Sequence, residues 1–363
     1  MGFLLLKPEE IQDLVDMAEA IDAVEKGYAG AHRFPVINAP RRRVHSPAGV
    51  RVSNFPGGVH DMGVIGAASR AELVVQEGTH QRYDYREHPV HVLNDSNTGE
   101  LLSIVIGEPV EKTLGYTSLV ALRTAATSGV ALRYMVRENA EKVGLFGSGG
   151  QAANQLLALL AVRPGIRHVK VYSRSPGNRA AFAAKYGPKF GIEIEPVASG
   201  RDVIRGVDVV LCATNTNVEL FDGNWLEPGQ HVTGIIGGNV QLVQGGFLKK
   251  ARREIDDRTV ERADVIVTNL RESVISEKQG DLYEPIEKGL IGLEDIIELG
   301  ELPLGLKKGR NSDEEITYHK NNNGTAASEI AIAMLVYEKA KAAGRGTTID
   351  LIDPEVLREK FAK

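Results

Sequence analysis

The sequence predicts an α/β protein built on a doubly wound parallel sheet. Two observations predict it. An apolar run over residues 143–146 enters a glycine turn, Gly147-Ser148-Gly149-Gly150-Gln151-Ala152, and a small-residue helical pattern follows to residue 162. Strand, tight turn and helix in that order is the setting in which a GxGxxA pattern holds a dinucleotide. From residue 142 onward, apolar runs at 143–146, 169–173, 192–197, 207–213, 231–236 and 265–268 alternate with helical stretches such as 151–162 and 179–186. That alternation belongs to an open parallel sheet with helices on both faces.

The rest of the chain reads differently. Residues 8–32 have helical character: Pro8 suits a first turn, Glu9 and Glu10 favour a helix N-terminus, and Ile11, Leu14 and Val15 recur at helical spacing, with a break before 16–31. Between 40 and 110, short β-like runs at 51–55, 90–93 and 101–106 are separated by Gly, Pro, Asn and Asp, and Asn97-Thr98-Gly99 reads as a hairpin turn. Residues 119–139 form an alanine-rich helical pattern. Residues 328–343 form another after the sheet ends, and it returns to the first unit because nothing signals a third core.

A length of 363 residues suits about two domains. Composition is ordinary for a soluble globular protein, 42% hydrophobic and 25% charged, and a net charge of −5 gives no reason to expect nucleic acid. The lone cysteine, Cys212, excludes an internal disulfide and sits in an apolar run, as a buried, inert thiol would. The opening apolar stretch is too short for a signal peptide, and no stretch approaches the length of a membrane span. A cytoplasmic enzyme is the expectation.

In the glycine turn, Gly147 permits the sharp bend, Gly149 lets backbone approach a pyrophosphate, and Ala152 lets helix and strand pack closely. Free N–H groups at the helix start then face the phosphates, so Gly147, Ser148, Gly149, Gly150, Gln151 and Ala152 are the cofactor candidates. At the end of the second run, where an NAD site places an acid, the chain has Ser173-Arg174-Ser175. A guanidinium between hydroxyls suits a 2′-phosphate, which favours NADP and leaves NAD as the alternative. Arg123, in Leu122-Arg123-Thr124-Ala125-Ala126, has small neighbours that would let a planar carboxylate approach; from the residues alone it is equally a solvated helix arginine. In Arg41-Arg42-Arg43, strand alternation turns at least one guanidinium inward. His80, His88 and His91 match no metal-binding spacing, so no metal is expected.

Taken with Phe221-Asp222-Gly223, Leu226-Glu227-Pro228-Gly229, His231, Gly237-Gly238, Gly280-Asp281-Leu282 and Glu315-Ile316-Thr317, the arginine segment and the glycine turn make the chain resemble the ornithine cyclodeaminase/mu-crystallin family over nearly its whole length. The resemblance implies a Rossmann unit, residues 126–324, inserted in an α+β substrate-binding and dimerisation unit, residues 1–125 plus 325–363. It implies a homodimer and hydride exchange between a nicotinamide and the α-carbon of a small amino or imino acid. It places the carboxylate-binding arginines at Arg123 and at Arg42 or Arg43, and the nicotinamide segment at residues 320–324, with Asn323. Thr124 and Ala213-Thr214-Asn215 complete the candidate cofactor set.

Two departures bear on the reaction. Where cyclodeaminases carry a proton-handling aspartate, the chain has Asn239, which can orient a substrate nitrogen or a water but cannot act as a base. Where many members carry a substrate-side lysine, Arg70 is the nearest cation. Lys320, His319 and Glu329 are the candidate replacements for proton transfer. The expectation is therefore an NADP-preferring oxidoreductase that reduces an imine or ketimine. The rivals are a true cyclodeaminase that recycles bound NAD, and a mu-crystallin-like NADPH-dependent binding protein with little catalysis.

Overall fold

The computed structural model describes residues 2–77, 80–107, 118–238, 240–246, 249, 251–321 and 324–351. Two eight-stranded sheets organise them. The first contains β1 (Gly2–Leu6), β2 (Arg42–His45), β3 (Val50–Val59), β4 (Val64–Glu77), β5 (His80–Arg86), β6 (Val90–Asp95) and β7 (Leu101–Ile106), with the last strand of the chain, β16 (Thr347–Asp350), at its edge. Most of its pairs are antiparallel, and the turn at residues 97–99 joins β6 to β7 with Gly99 at φ 79°. Helices α1 (Met17–Arg33) and α10 (Ala326–Ala342) cover one face, and α2 (Leu119–Met135) packs beside them.

Helix α1 starts later than the sequence suggested. Residues 8–13 are turns and bends, not helix. Asp16 is the N-cap: its carboxylate accepts from the Glu19 amide at 2.8 Å, and Glu19 accepts from the Asp16 amide at 3.0 Å. This reciprocal pairing satisfies two donors that a helix continued from Pro8 would already have used.

The second sheet is wholly parallel. It contains β8 (Lys142–Phe146), β9 (His168–Tyr172), β10 (Glu193–Pro196), β11 (Val209–Cys212), β12 (His231–Gly234), β13 (Val265–Thr268), β14 (Ile297–Glu298) and β15 (Thr317–Lys320). Between them lie α3 (Gly150–Val162), α4 (Pro176–Phe190), α5 (Gly200–Ile204), α6 (Val240–Gln244), α7 (Asp257–Arg262), α8 (Arg271–Ser276) and α9 (Gly280–Glu287). The order is β10-β9-β8-β11-β12-β15-β13-β14, so the winding reverses between β8 and β11. Ligands of such sheets bind at that reversal, beyond the carboxyl ends of the strands. The sequence reading missed β14 and β15; β15 slides between β12 and β13 and so brings Lys320 and Asn321 to the middle of that edge. The expected unit boundary at residues 125/126 falls inside α2, which touches both halves of the chain.

The first sheet has two unlike faces. Inward, Leu6, Val59, Val64, Leu93 and Val105 pack on α1 and α10. Outward, Val52, Ala67, Val92 and Ile104 stay half-buried, Ile65 is 41% exposed and Val44 66% exposed. A strand that is apolar on both sides expects cover on both sides. Cys212 is buried in the second core, as its sequence context suggested. Among the described residues no helix is long and apolar enough to cross a membrane.

Candidate functional site

The glycine turn stands at the reversal. Gly147 has φ 113°, and a Cβ there would lie 2.2 Å from the Ala213 carbonyl oxygen, so only glycine passes between β8 and the end of β11. Gly149 is the N-cap of α3, and a Cβ on it would meet nothing within 4 Å. The space in front of the first N–H groups of α3, at Gly150, Gln151 and Ala152, is therefore open. Ala152 is fully buried against the sheet core. Ser148 flanks this opening, half-buried. These residues fit a pyrophosphate.

At the end of β9, hydrogen bonds shape the next turn. The Ser175 hydroxyl caps α4 by accepting from the Asn178 amide at 3.2 Å, and the Ser173 hydroxyl donates to the Ser175 carbonyl at 3.1 Å. Arg179 lies over Tyr172 and donates to the Ser173 carbonyl at 2.8 Å. Arg174 is exposed on the turn so formed. At the end of β11, Ala213 is buried, Thr214 is anchored from below and Asn215 is exposed. The Thr124 hydroxyl donates to the Val120 carbonyl at 2.8 Å, while the Thr124 carbonyl accepts from Asn321 at 2.9 Å. Asn321 thus ties the end of β15 to α2.

The substrate side is built on the inner face of the first sheet, where that face changes from apolar to charged. Register pairs Arg43 with Ser53, Ser53 with Arg70, Arg51 with Glu72, and Ala68 with His91. Residues opposite one another share a face. Arg43, Arg51, Arg70, Glu72 and His91 therefore all point inward, and Arg42, one residue out of phase, is exposed on the other face. Arg41, just before the strand, is buried and donates to Glu277.

Arg123 on α2 is 2% exposed and faces Glu329 on α10, with Nη2 2.8 Å from Oε1. The other Glu329 oxygen is 3.4 Å from His91 Nε2. Arg123 Nε and Nη1 are buried with no hydrogen-bond partner among the described residues. Gly324, at φ 68°, leads the chain over this pair; a Cβ there would lie 3.1 Å from both Arg123 Nη2 and Glu329 Oε1. Phe55, Ala68 and Ala326 form a small apolar wall beside it, and Arg70 lies 5.9 Å from the Phe55 ring centre. Burial would raise the Glu72 carboxyl, but Arg70, Arg51 and Arg86 outweigh it and hold it at about 2. Burial likewise opposes Arg123 and His91 at Glu329, and these partners prevail, also at about 2. Burial pulls Arg123 below the usual guanidinium range, Arg70 and Arg41 adding to the effect against Glu329.

Beneath the strand ends sits a second buried cluster. Lys320, 1% exposed, donates from Nζ to the Ile236 carbonyl and to Asp281 Oδ2, both at 2.5 Å. Asp281 Oδ1 accepts from the backbone amides of Glu254 and Ile255 at 2.9 and 3.2 Å. Glu254 accepts from the Thr214 amide and hydroxyl and from the amides of Ile235 and Ile236. The ammonium expected to handle a proton is thus turned into the protein, where it knits the ends of β11, β12 and β15. Burial next to Asp281 pushes Glu254 up to about 7. His319 is fully buried with Nε2 3.1 Å from Asn269, and burial, then Lys320, pushes it down to about 3, so it is neutral and committed. Asn239 and Asn323 lie outside the described residues.

Sequence reasoning missed Glu72, Glu254, Glu277 and Asp281 as partners. Glu72 had a signal: it follows Arg70 by two residues in a strand, the spacing that puts both on one face. His91 was weighed only as a metal ligand; it is buried against Glu329, while His88 is exposed beside Glu87.

A family model described as the ornithine cyclodeaminase/mu-crystallin family matches residues 4–344. The chain is 32% identical over 260 residues to a delta(1)-pyrroline-2-carboxylate reductase of Bacillus cereus, covering 71% of this chain and 73% of the relative. It is 28% identical over 352 residues to an alanine dehydrogenase of Archaeoglobus fulgidus, covering 96% and 98%. Among solved structures, the Thermococcus litoralis delta(1)-pyrroline-2-carboxylate reductase, in complex with NADH and L-proline, superposes with a TM-score of 0.79 at 28% identity, covering 96% of this chain and all of that one.

Proposed function

Because the chain belongs to the ornithine cyclodeaminase/mu-crystallin family, we propose that it is an NADP-preferring oxidoreductase that reduces the C=N bond of a small imino acid. The cofactor class is nicotinamide dinucleotide; the preference for the phosphorylated form rests on Arg174 and on the lack of an acid at the end of β9. The observation that carries the reading is Arg123: a buried guanidinium with uncommitted donors, one residue from Thr124, on the helix that joins the nucleotide sheet to the charged face.

Reduction of an iminium adds a hydride to carbon and leaves the nitrogen neutral. The cofactor supplies the hydride when bound. The first turn of α3 and the open face at Gly149 would hold its pyrophosphate. The ends of β11, β12 and β15, fixed by Glu254, Asp281 and Lys320, would hold its nicotinamide half, so Lys320 acts as a positioning residue. Arg123 receives the substrate carboxylate, and Glu329, held by His91, keeps the guanidinium in place. Phe55, Ala68 and Ala326 keep water from the carbon. Asn239 orients the substrate nitrogen. We assign the substrate unit to residues 1–125 and 325–363 and the nucleotide unit to 126–324, with Arg123 and Thr124 next to the joint. The outer face of the first sheet, where Ile65 and Val44 are exposed, is the proposed contact in a homodimer, which sedimentation at micromolar concentration would detect.

The deciding experiment follows NADPH and NADH oxidation against cyclic imines and against keto acids mixed with amines. Turnover on at least one imino acid, faster with NADPH, is expected. Ammonia release from ornithine or lysine without net cofactor change would replace this reading with cyclodeamination. Tight NADPH binding with no turnover across the panel would replace it with a binding role.

A further inference from the structure

A short relay of buried hydrogen bonds ties the first sheet to the second and ends one residue before Asn239. Arg41, just before β2, donates from Nε to Glu277 Oε2 at 2.6 Å, and Arg43 Nη1 lies 3.6 Å from the same oxygen. That oxygen also accepts from Gln279 Nε2 at 3.0 Å. Gln279 Oε1 in turn accepts from the Gly238 amide at 3.0 Å. Arg41, Glu277 and Gln279 are all buried, and Gly238 lies in the segment that leaves β12. The Gly238 carbonyl accepts from the Arg252 amide at 2.9 Å, so this residue is held at both ends.

The order of donors and acceptors calls for an amide in the middle. A carboxylate only accepts and a backbone N–H only donates, so the group between them must donate at one end and accept at the other. Glutamine does both. Glutamate would set two carboxylates against each other, and methionine would offer neither bond. The backbone is bent to bring these groups together. Helix α8 ends in a left-handed step at Lys278, φ 46°, where the Lys278 amide donates to the Ile275 carbonyl at 3.2 Å and the Gln279 amide to the Val274 carbonyl at 3.0 Å. Glycine is the usual residue at that step of a helix end. A side chain held there is strained, and such strain gathers where a fold must place particular atoms. Here the step sets Glu277 and Gln279 side by side. Gly238 closes against the same step: a Cβ on it would lie 3.1 Å from the Lys278 carbonyl oxygen.

We infer that Gln279 is a positioning residue: anchored through Glu277 to the arginine-bearing strand, it holds Gly238, and with it the residue that orients the substrate nitrogen, at a set distance from the carboxylate-binding face. A fully paired buried network is rigid, which suits it to fix a distance between two units. The inference rests on the proposed imine reductase reading, in which one unit takes the substrate carboxylate and Asn239 of the other takes the nitrogen.

The test reads hydrogen exchange and turnover separately. Gln279→Met keeps the length of the side chain and removes both of its bonds. On protein loaded with NADP+, deuterium exchange at the Gly238 amide, resolved by mass spectrometry with fragmentation, should quicken roughly fivefold or more, the net worth of one hydrogen bond. On the best imino acid, kcat should fall roughly tenfold or more, since a displacement of about 1 Å can cost a hundredfold. The KM for NADPH should stay within about threefold, because the pyrophosphate turn lies at the start of α3. The sharper variant is a swap. Glu277→Gln combined with Gln279→Glu keeps the net charge and reverses the middle bond, and a carboxylate still accepts from Gly238. It should regain exchange and kcat to within about fivefold of wild type, whereas Gln279→Glu alone should not. If Gln279→Met fails to fold, the swap against Gln279→Glu decides. Unchanged Gly238 exchange in Gln279→Met overturns the inference, as does a swap no better than Gln279→Glu. Faster exchange with wild-type kcat would keep the reductase and overturn the positioning role. Equal losses of kcat, NADPH affinity and thermal midpoint would make Gln279 a packing residue. If wild type turns over no imino acid, the reductase reading falls, and exchange alone decides whether the relay holds Gly238.

Discussion

Lys320→Met decides whether this lysine holds the fold or handles a proton. Its ammonium is 1% exposed and its carboxylate partner Asp281 is fully buried. Methionine fills much the same volume but leaves Asp281 Oδ2 without its cation and the Ile236 carbonyl without its donor. Removing one partner of a buried ion pair costs about 3–5 kcal/mol. The lower end applies here, because Asp281 Oδ1 keeps two backbone donors, from Glu254 and Ile255. At about 2–4 °C per kcal/mol for a domain of this size, the midpoint of thermal unfolding should fall by roughly 6–12 °C. NADP affinity should fall with it, since Glu254 and the amides of Thr214, Ile235 and Ile236 share the same network.

The assay is denaturant unfolding followed by circular dichroism, run on Lys320→Met, Asp281→Asn and the double variant. In the double variant no ionised group is left alone, and asparagine keeps an acceptor for the two amides. Its loss should be smaller than the sum of the single losses by about 1–3 kcal/mol, the coupling of groups in contact. A Lys320→Met protein with wild-type stability and wild-type cofactor affinity, but no turnover, would refute the reasoning. It would place the ammonium at the reacting atoms.

Arg174→Asp should lower NADP affinity roughly tenfold or more by removing a charge-assisted contact and adding like-charge repulsion, with NAD affinity little changed; fluorescence titration of both cofactors reads it. Arg123→Lys keeps the charge but loses the fork, so kcat/KM should fall by an order of magnitude or so while NADP binding holds, and unaltered kinetics would make Arg123 structural. Burial raises Glu254 to about 7 from 4.5. The folded state therefore carries a proton that the unfolded state has lost between those values. The stability this supplies is whole below about pH 4.5 and declines as pH rises to about 7, by about 3 kcal/mol at 1.36 per unit. Glu254→Gln should flatten the slope of unfolding free energy between pH 5 and 7, and an unchanged slope would assign the titration elsewhere. Glu72 and Glu329, held at about 2, act in the opposite sense in a separate window. Their contribution is whole above about pH 4.5 and is lost as pH falls through 2.

What could be read from the sequence followed period and punctuation. The glycine turn and the strands of the parallel sheet were legible because a fully buried strand is a short apolar run between turn residues. β15 was not, for the same reason. Thr317-Tyr318-His319-Lys320 is buried throughout, yet it carries a histidine and a lysine. His319 Nε2 and the Lys320 ammonium meet Asn269 and Asp281, far off in sequence, and no local rule finds such partners. The start of α1 was misplaced although its signal was present. Asp16 and Glu19 form a capping box, and the proline and acids at residues 8–10 imitate a helix start without its reciprocal bonds. The arginine run shows the limit of alternation: it says that neighbours face opposite ways, and only the pairing of Arg43 with Ser53 fixes which way is in.

The choice of arginine on that face also constrains the chemistry. A buried lysine sheds its proton as its surroundings dry and can therefore act as an acid; a guanidinium in the same place cannot. The cations of that face among the described residues are Arg41, Arg43, Arg51, Arg70 and Arg123, with the His91 imidazole against Glu329. Its one lysine, Lys320, is spent on Asp281, and His319 is neutral and spent on Asn269. The carboxylates are held ionised by their arginines, Glu72 and Glu329 at about 2, so near neutral pH they have no proton to give. A face of this kind grips anions firmly and offers few protons. Such a site suits a substrate whose nitrogen arrives already protonated, because reduction of an iminium needs only hydride and position. It suits poorly a reaction that must release ammonia and close a ring, since each of those steps moves a proton through a group of adjustable pKa. The arginines thus favour reduction over cyclodeamination, because a guanidinium keeps its proton where a lysine would give it up.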